Sequence, residues 1–331
     1  MGKKKKLIAK IIFVAVLLAI IIYTFRDSAG PIFQQVAETS AKVIIGVCVM
    51  SVIYHFFEGW VTFSLAKRYT PEITYFKGVG CAFYCSFYRL ATLGSGTGVA
   101  AIYYLGKFGV GYSEGIGLYL VQYIMHKVSI ALFSGVLFLL NWPFMMENYS
   151  DYAVWLILAF GLTFVIALLL ELLIVSPKFH KVILKLFSVI NHSGRFDKVE
   201  KKLEETAVIL ETTSTKLVKD RGTLVSVVLK DLVKLCFWYG IPFLVLYETG
   251  LMTFPQVLAV TSLSVMTAAV IPTPVGIGAL ELIMTGLFSV VAGVELGGAI
   301  TLIYRFGTFF FPFLVGSVFV ILSKFRLYKH R

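Results

Sequence analysis

Long apolar runs, each close to the length of a membrane crossing, recur along this chain and limit its fold more than any other feature. They cover residues of about 7–25, 43–66, 114–140, 152–175, 223–248 and 297–323. A transmembrane helix needs about 20 mostly apolar residues, whereas a single soluble core has no room for so many helices that are apolar all round. Composition agrees, with 58% hydrophobic and only 15% charged residues, against roughly a quarter charged in soluble domains. The expected fold is an all-α polytopic membrane protein, one integral membrane domain over 1–331 without a soluble catalytic domain. The net charge of +12 fits basic loops beside anionic lipid, so membrane phospholipid is the expected partner and nucleic acid is not. Cys48, Cys81, Cys85 and Cys236 lie in apolar stretches. They form neither a disulfide framework nor a zinc-spaced pair, and no metal or cofactor is expected.

Two further apolar regions, about 76–107 and 255–293, are interrupted midway. The first break is Leu93-Gly94-Ser95-Gly96-Thr97-Gly98 and the second Pro272-Thr273-Pro274-Val275-Gly276-Ile277-Gly278. Each region is either two short spans or one re-entrant helix-break-helix hairpin. In both versions the chain leaves on the side it entered. Lys3 to Lys6 precede the first span and Lys10 lies at its start, and Lys67, Arg68, Lys77, the 176–222 connection and the tail from Lys324 to Arg331 fall on the same side. By the positive-inside rule that side is cytoplasmic, which makes this a multi-pass cell-membrane protein with both termini inside. The first apolar run is long for a signal peptide and no small-residue cleavage site follows it, so it is expected to remain as a helix. Within 176–222, Phe196, Val199, Leu203, Leu210 and Leu217 follow 3/4 spacing, which predicts an amphipathic connector on the membrane surface or against a partner.

A shift of about 180 residues brings Gly96-Thr97-Gly98 onto Gly276-Ile277-Gly278, Gly106 onto Gly286 and, one residue further on, Glu114 onto Glu295. Three full spans separate the broken regions. That odd number has the hairpins enter from opposite sides, as in the inverted repeats of transporters, whose substrate sites lie where broken helices meet.

Ionisable groups inside apolar spans cost roughly 2.5–3.5 kcal/mol each on insertion scales, so Glu58, Arg89, Lys127, Lys234, Glu281 and Arg305 stand out. Arg89, Lys127, Glu281 and Arg305 are the expected substrate-binding residues. Arginine holds phosphate through paired hydrogen bonds, and a helix N-terminus at a break adds N–H donors. The alternative is structural, with Glu281 pairing an arginine to staple the hairpins. His55 and Glu58 are spaced to hydrogen-bond each other, Lys234 could snorkel, and His126 has no metal-ligand partner at helical spacing. Gly94-Ser95-Gly96-Thr97-Gly98 lacks the Gly-Lys-Ser/Thr of a phosphate loop, so no catalytic residue is expected.

The segment from Ile271 through Pro272, Pro274, Gly276 and Gly278 to Glu281 resembles the P-x-P-G-G-x-G-x-x-E signature of the lysylphosphatidylglycerol synthase transmembrane family. Its members, also called flippase-like proteins, include the N-terminal flippase domain of MprF-type proteins. Tyr304-Arg305 resembles that family's closing Tyr-Arg helix, and Val275 stands where the signature usually has glycine. The resemblance implies translocation of an anionic or aminoacylated phospholipid, or a related lipid, between leaflets. The alternative it leaves open is a membrane component of a phosphatidylglycerol lysyltransferase working with a separate synthase chain. Self-association also stays open. Larger relatives carry a cytosolic transferase domain, which is expected to be absent here because the chain ends at Arg331.

Overall fold

The computed structural model describes residues 29–152 and 220–329 apart from 272, together with isolated positions between 154 and 217. Its elements are α1 (Ala29–Ala37), α2 (Ala41–Ala66), α3 (Tyr75–Ala91), α4 (Thr97–Gly106), α5 (Tyr112–Leu140), α6 (Trp142–Tyr149), α7 (Arg221–Tyr239), α8 (Ile241–Leu246), α9 (Phe254–Val270), α10 (Ala279–Arg305) and α11 (Phe311–Lys329). No strand occurs among the described residues. The spans expected at 43–66 and 114–140 are α2 and α5. That at 223–248 is α7 and α8, parted at Gly240, since Pro242 has no N–H to extend the ladder of α7. The span at 297–323 is the second half of α10 running into α11 through a π-helical turn, Phe306–Phe310. The spans at 7–25 and 152–175, the 176–222 connector and Pro272 lie outside the described residues.

Helix starts follow local capping chemistry. Ser40 accepts from the Val43 amide at 3.4 Å, Thr74 from Lys77 at 3.4 Å and Asp220 from Thr223 at 3.0 Å. At α9 the Gln256 side chain accepts from the Thr253 amide at 2.8 Å, as in a capping box. Among the described residues three helical stretches, Ala41–Ala66, Tyr112–Leu140 and Pro274–Ile321, are long and apolar enough to cross a membrane. The last is not one rod, because the chain folds back at Gly293 (φ 79°). Thr285 donates to Thr301 at 3.1 Å, and Arg305 donates to Glu281 at 2.7 Å. Residues so far apart in sequence meet only if 279–292 and 294–305 run antiparallel.

The first half of the chain repeats this pattern. Helix α3 ends at a break, α4 returns, and after Gly109 (φ 85°) the long α5 runs antiparallel to α4, with Gly98 against Tyr119 and Gly115 against Ile102. The Lys77 ammonium at the start of α3 lies 4.4 Å from the Phe108 ring centroid just past α4, so this hairpin begins and ends at one end of the bundle. Helix α5 carries the chain from that end to the other, where Asn141 donates to the Pro255 carbonyl at the start of α9 at 3.4 Å. The two hairpins therefore point at each other from opposite ends. Their tips adjoin, since a Cβ added to Gly94 would meet the Val275 side chain and both residues line one cavity. Each tip has two consecutive residues at positive φ, Leu93 (49°) with Gly94 (86°) and Val275 (55°) with Gly276 (70°). This match pairs the two breaks two residues off the register read from the sequence.

Packing has the inverted polarity of a bundle in lipid. Apolar side chains at helical spacing face outward, among them Leu132, Val136 and Leu139 on α5, Val225, Leu229 and Val233 on α7, and Leu314, Val318 and Ile321 on α11. Asp231 and Lys234 are fully buried inside. Helix α2 lies along α3 and α7. Its crossing with α3 is so close at Gly59 and Gly78 that a Cβ on either would overlap backbone, the small-residue contact typical of membrane helices.

Candidate functional site

A cavity of about 390 Å³ opens where the tips meet, between the first hairpin, α2 and α5. The break supplies Gly94 and Thr97, α3 supplies Cys85, Ser86 and Arg89, and α5 supplies Tyr119, Gln122, His126 and Lys127. Tyr54, His55 and Glu58 of α2 form the facing wall, and Val275 of the second break closes one side. Arg89 is exposed at the rim and Lys127 is half-buried. Neither forms a hydrogen bond or ion pair with another described residue, although the Lys127 ammonium lies 5.5 Å from the Tyr123 ring centroid. Two cations that no carboxylate pairs with, facing one cavity, make an anion-receiving surface.

Glu281 and Arg305 are elsewhere, immediately behind the second break and outside the cavity lining. The Glu281 carboxylate accepts from Arg305 Nε at 2.7 Å and Nη2 at 3.0 Å, and from the Gly278 amide at 2.7 Å. Arg305 also donates to the carbonyl of Gly276 at 2.5 Å and reaches that of Val275 at 3.5 Å. Non-helical backbone at membrane depth needs partners for its stranded carbonyls, and Arg305 supplies them. The four expected substrate residues thus divide into a cavity pair, Arg89 and Lys127, and a pair that holds the shape of the second tip. Of the expected break residues, Gly94, Gly276 and Gly278 (φ 87°) adopt positive φ, which glycine tolerates best. Gly96 and Gly98 keep room for Thr92 and Tyr119, and Pro274 opens a single 3₁₀ turn, Pro274–Gly276.

A charged cluster adjoins the cavity. Lys234 bridges Glu58, at 2.5 Å, and Asp231. Gln122 donates to the other Glu58 oxygen at 2.7 Å and exchanges hydrogen bonds with Thr62. His126 Nδ1 stands 4.0 Å from Asp231 Oδ2. This arrangement corrects two readings of the sequence. Lys234 does not snorkel, because two carboxylates hold its ammonium inside. Likewise His55 and Glu58 do not bond each other; His55 bonds the Ser51 carbonyl at 2.7 Å and the Ser86 hydroxyl at 2.9 Å.

Sequence reasoning missed Asp231 and Gln122. Asp231 had a signal, since Lys230, Asp231 and Lys234 interrupt an otherwise apolar helix and the last two are spaced to pair. Gln122 had none, because one neutral amide in an apolar run is unremarkable. Among the described residues no three His, Cys, Asp or Glu side chains are grouped to hold a metal ion.

In comparisons with known proteins, no curated protein and no solved structure matches the chain. The family model for the lysylphosphatidylglycerol synthase TM region matches residues 7–316. The match takes in both breaks, the cavity-lining helices and Arg305. The chain is therefore a membrane protein that belongs to the lysylphosphatidylglycerol synthase transmembrane-region family.

Proposed function

We propose that this protein moves a lipid with an anionic head group between membrane leaflets. The observation that carries the reading is the pair of cations without ion-pair partners, Arg89 and Lys127, in a cavity where two opposed helix breaks adjoin. In this reading α3–α4 and α9 with the first half of α10 are re-entrant hairpins entering from opposite membrane faces, the geometry of alternating-access carriers. The head-group phosphate rests against Arg89 and Lys127, while the acyl chains stay in lipid outside the apolar helix faces. Glu281 and Arg305 take part indirectly, by keeping the second tip folded against the cavity. Lys67, Arg68, Lys77, Lys107 and Arg221 flank the helix ends where the first hairpin has its base, so that end is assigned to the cytoplasm of a cell membrane, with both termini there.

Leaflet-resolved labelling of anionic phospholipid in a deletion strain, alongside total lipid analysis, tests this reading. A changed leaflet distribution with unchanged total composition supports it. If a lipid species is lost from the total while leaflet distribution is unaltered, the protein acts as part of a transferase and the proposal is wrong.

A further inference from the structure

The cluster beside the cavity does not balance its charge. Glu58 and Asp231 share one ion-paired cation, Lys234, leaving one carboxylate charge without a paired cation of its own, and an unpaired buried charge is costly. Asp231 is fully buried, and neither of its oxygens makes a well-directed hydrogen bond. His126 Nδ1 is likewise unpartnered and faces Asp231 across 4.0 Å. The rest of the His126 side chain lines the cavity, with 27% of it exposed. Asp231 is thus sealed from water and His126 lies between it and the cavity.

From this geometry we infer a proton site, in which His126 takes a proton from the cavity and holds it against Asp231, together with the anionic head group. The inference rests on the lipid reading above for the identity of the anion. One proton brings the cluster of Glu58, Asp231, Lys234 and His126 to neutrality. It also places a positive charge one residue from Lys127 on the wall that receives the anion. The other ionisable groups around the pair are Tyr54, His55 and Glu58 from α2, Cys81, Cys85 and Arg89 from α3, Tyr119, Tyr123 and Lys127 from α5, and Lys230 and Lys234 from α7. Helix α9, packed against both α5 and α7, contributes no ionisable group. Of these neighbours Lys234 opposes protonation of His126 throughout, and Arg89 and Lys127 add to that opposition while the cavity is empty. An anion bound to Arg89 and Lys127 removes their share of it, so proton and anion favour each other's binding reciprocally.

Two measurements on the full-length protein in detergent test the proposal. Infrared difference spectra between mildly acidic and neutral buffer should contain a histidine or carboxyl protonation signal that disappears in both His126→Gln and Asp231→Asn. Short-chain phosphatidylglycerol, added in weakly buffered solution with a pH-indicating dye, should draw up to one proton per chain from solution. The uptake should vanish in His126→Gln, whose Lys234 cluster is otherwise intact. No protonation signal in the wild type, or one unchanged in His126→Gln, overturns the proton site. Phosphatidylglycerol binding without proton uptake overturns the coupling. If the wild type binds no phosphatidylglycerol, the lipid reading and the coupling fall together, and the infrared signal alone upholds or overturns the proton site. In vesicles with the membrane potential clamped, one proton per lipid corresponds to about a tenfold leaflet ratio per pH unit of gradient, and protein-free vesicles give the background.

Discussion

Replacing Glu281 by alanine should unfold the second tip before it affects anything in the cavity. The carboxylate joins a buried guanidinium through two hydrogen bonds and caps the Gly278 amide with a third. Removing it strands the Arg305 charge, and breaking a fully buried pair costs about 3–5 kcal/mol. The Glu281 side chain is 25% exposed, which favours the lower end, and the lost cap adds about 1 kcal/mol. The expected loss is therefore about 4 kcal/mol for Glu281→Ala. Glu281→Gln retains one acceptor oxygen and should lose about half as much. Arg305→Met should also destabilise, since it abandons the carbonyls of Val275 and Gly276. Equilibrium unfolding in mixed detergent of wild type, both single variants and Glu281→Ala/Arg305→Met gives the coupling energy directly. The account requires the double variant to be less damaged than the sum of the singles by about 2 kcal/mol or more. Additive losses, or a Glu281→Ala protein as stable as wild type, would refute the staple.

Other consequences follow from single positions. Val275 holds a β-branched side chain at φ 55°, so Val275→Gly should raise stability by up to about 1 kcal/mol; a less stable variant in the same unfolding assay would show that the side chain's packing outweighs the strain. Gly59→Val should push α2 and α3 apart and lose about 1–3 kcal/mol, read as a lower detergent melting temperature, because a Cβ there overlaps the Val79 backbone. Asp220 accepts from the Thr223 amide and hydroxyl and pairs with Arg68, which holds its carboxyl below the usual range. A carboxylate with a lowered folded value contributes fully above the unfolded one, and the contribution is lost as pH falls through the folded value. Hydrogen exchange at residues 221–224 should therefore quicken, relative to mid-helix amides, only below the ordinary carboxylate range, and Asp220→Asn should abolish that pH dependence.

What the sequence revealed, and what it hid, follows from the range of the interactions involved. Helices α2 and α5 were legible because each is a long uninterrupted apolar run, and the breaks because glycine and proline at membrane depth have few other uses. The end of the second hairpin was legible near 293, where Gly293 reverses the chain. The stretch 141–151 lies between two apolar runs and carries no run of membrane-crossing length. It forms helix α6, started by Pro143 at its N-terminus, which buries Met145 and Tyr149 and directs the Tyr149 hydroxyl to the Leu287 carbonyl at 3.0 Å. A single turn of favourable capping in a short segment was too weak a signal without that distant partner. Partner choice was the main thing hidden. Glu281 had two arginines to choose from, and only the reversal at Gly293 brings Arg305 rather than Arg89 beside it. Lys234 could have reached water, and only the approach of α2 to α7 places Glu58 within 2.5 Å of it.

The central claim is that Arg89 and Lys127 receive the head group of a lipid that the protein carries across the membrane. The most direct measurement uses vesicles containing fluorescently tagged phosphatidylglycerol and an impermeant quencher, reconstituted with wild type or Arg89→Gln/Lys127→Gln at equal amounts of folded protein. Neither side chain makes a hydrogen bond or ion pair with a described residue, and the Lys127–Tyr123 ring contact is on one helix, so the double variant should fold normally. Wild type is predicted to expose inner-leaflet lipid to the quencher, and the double variant to fall to the rate of protein-free vesicles. A wild type no faster than protein-free vesicles, or a double variant as fast as wild type, would contradict the account.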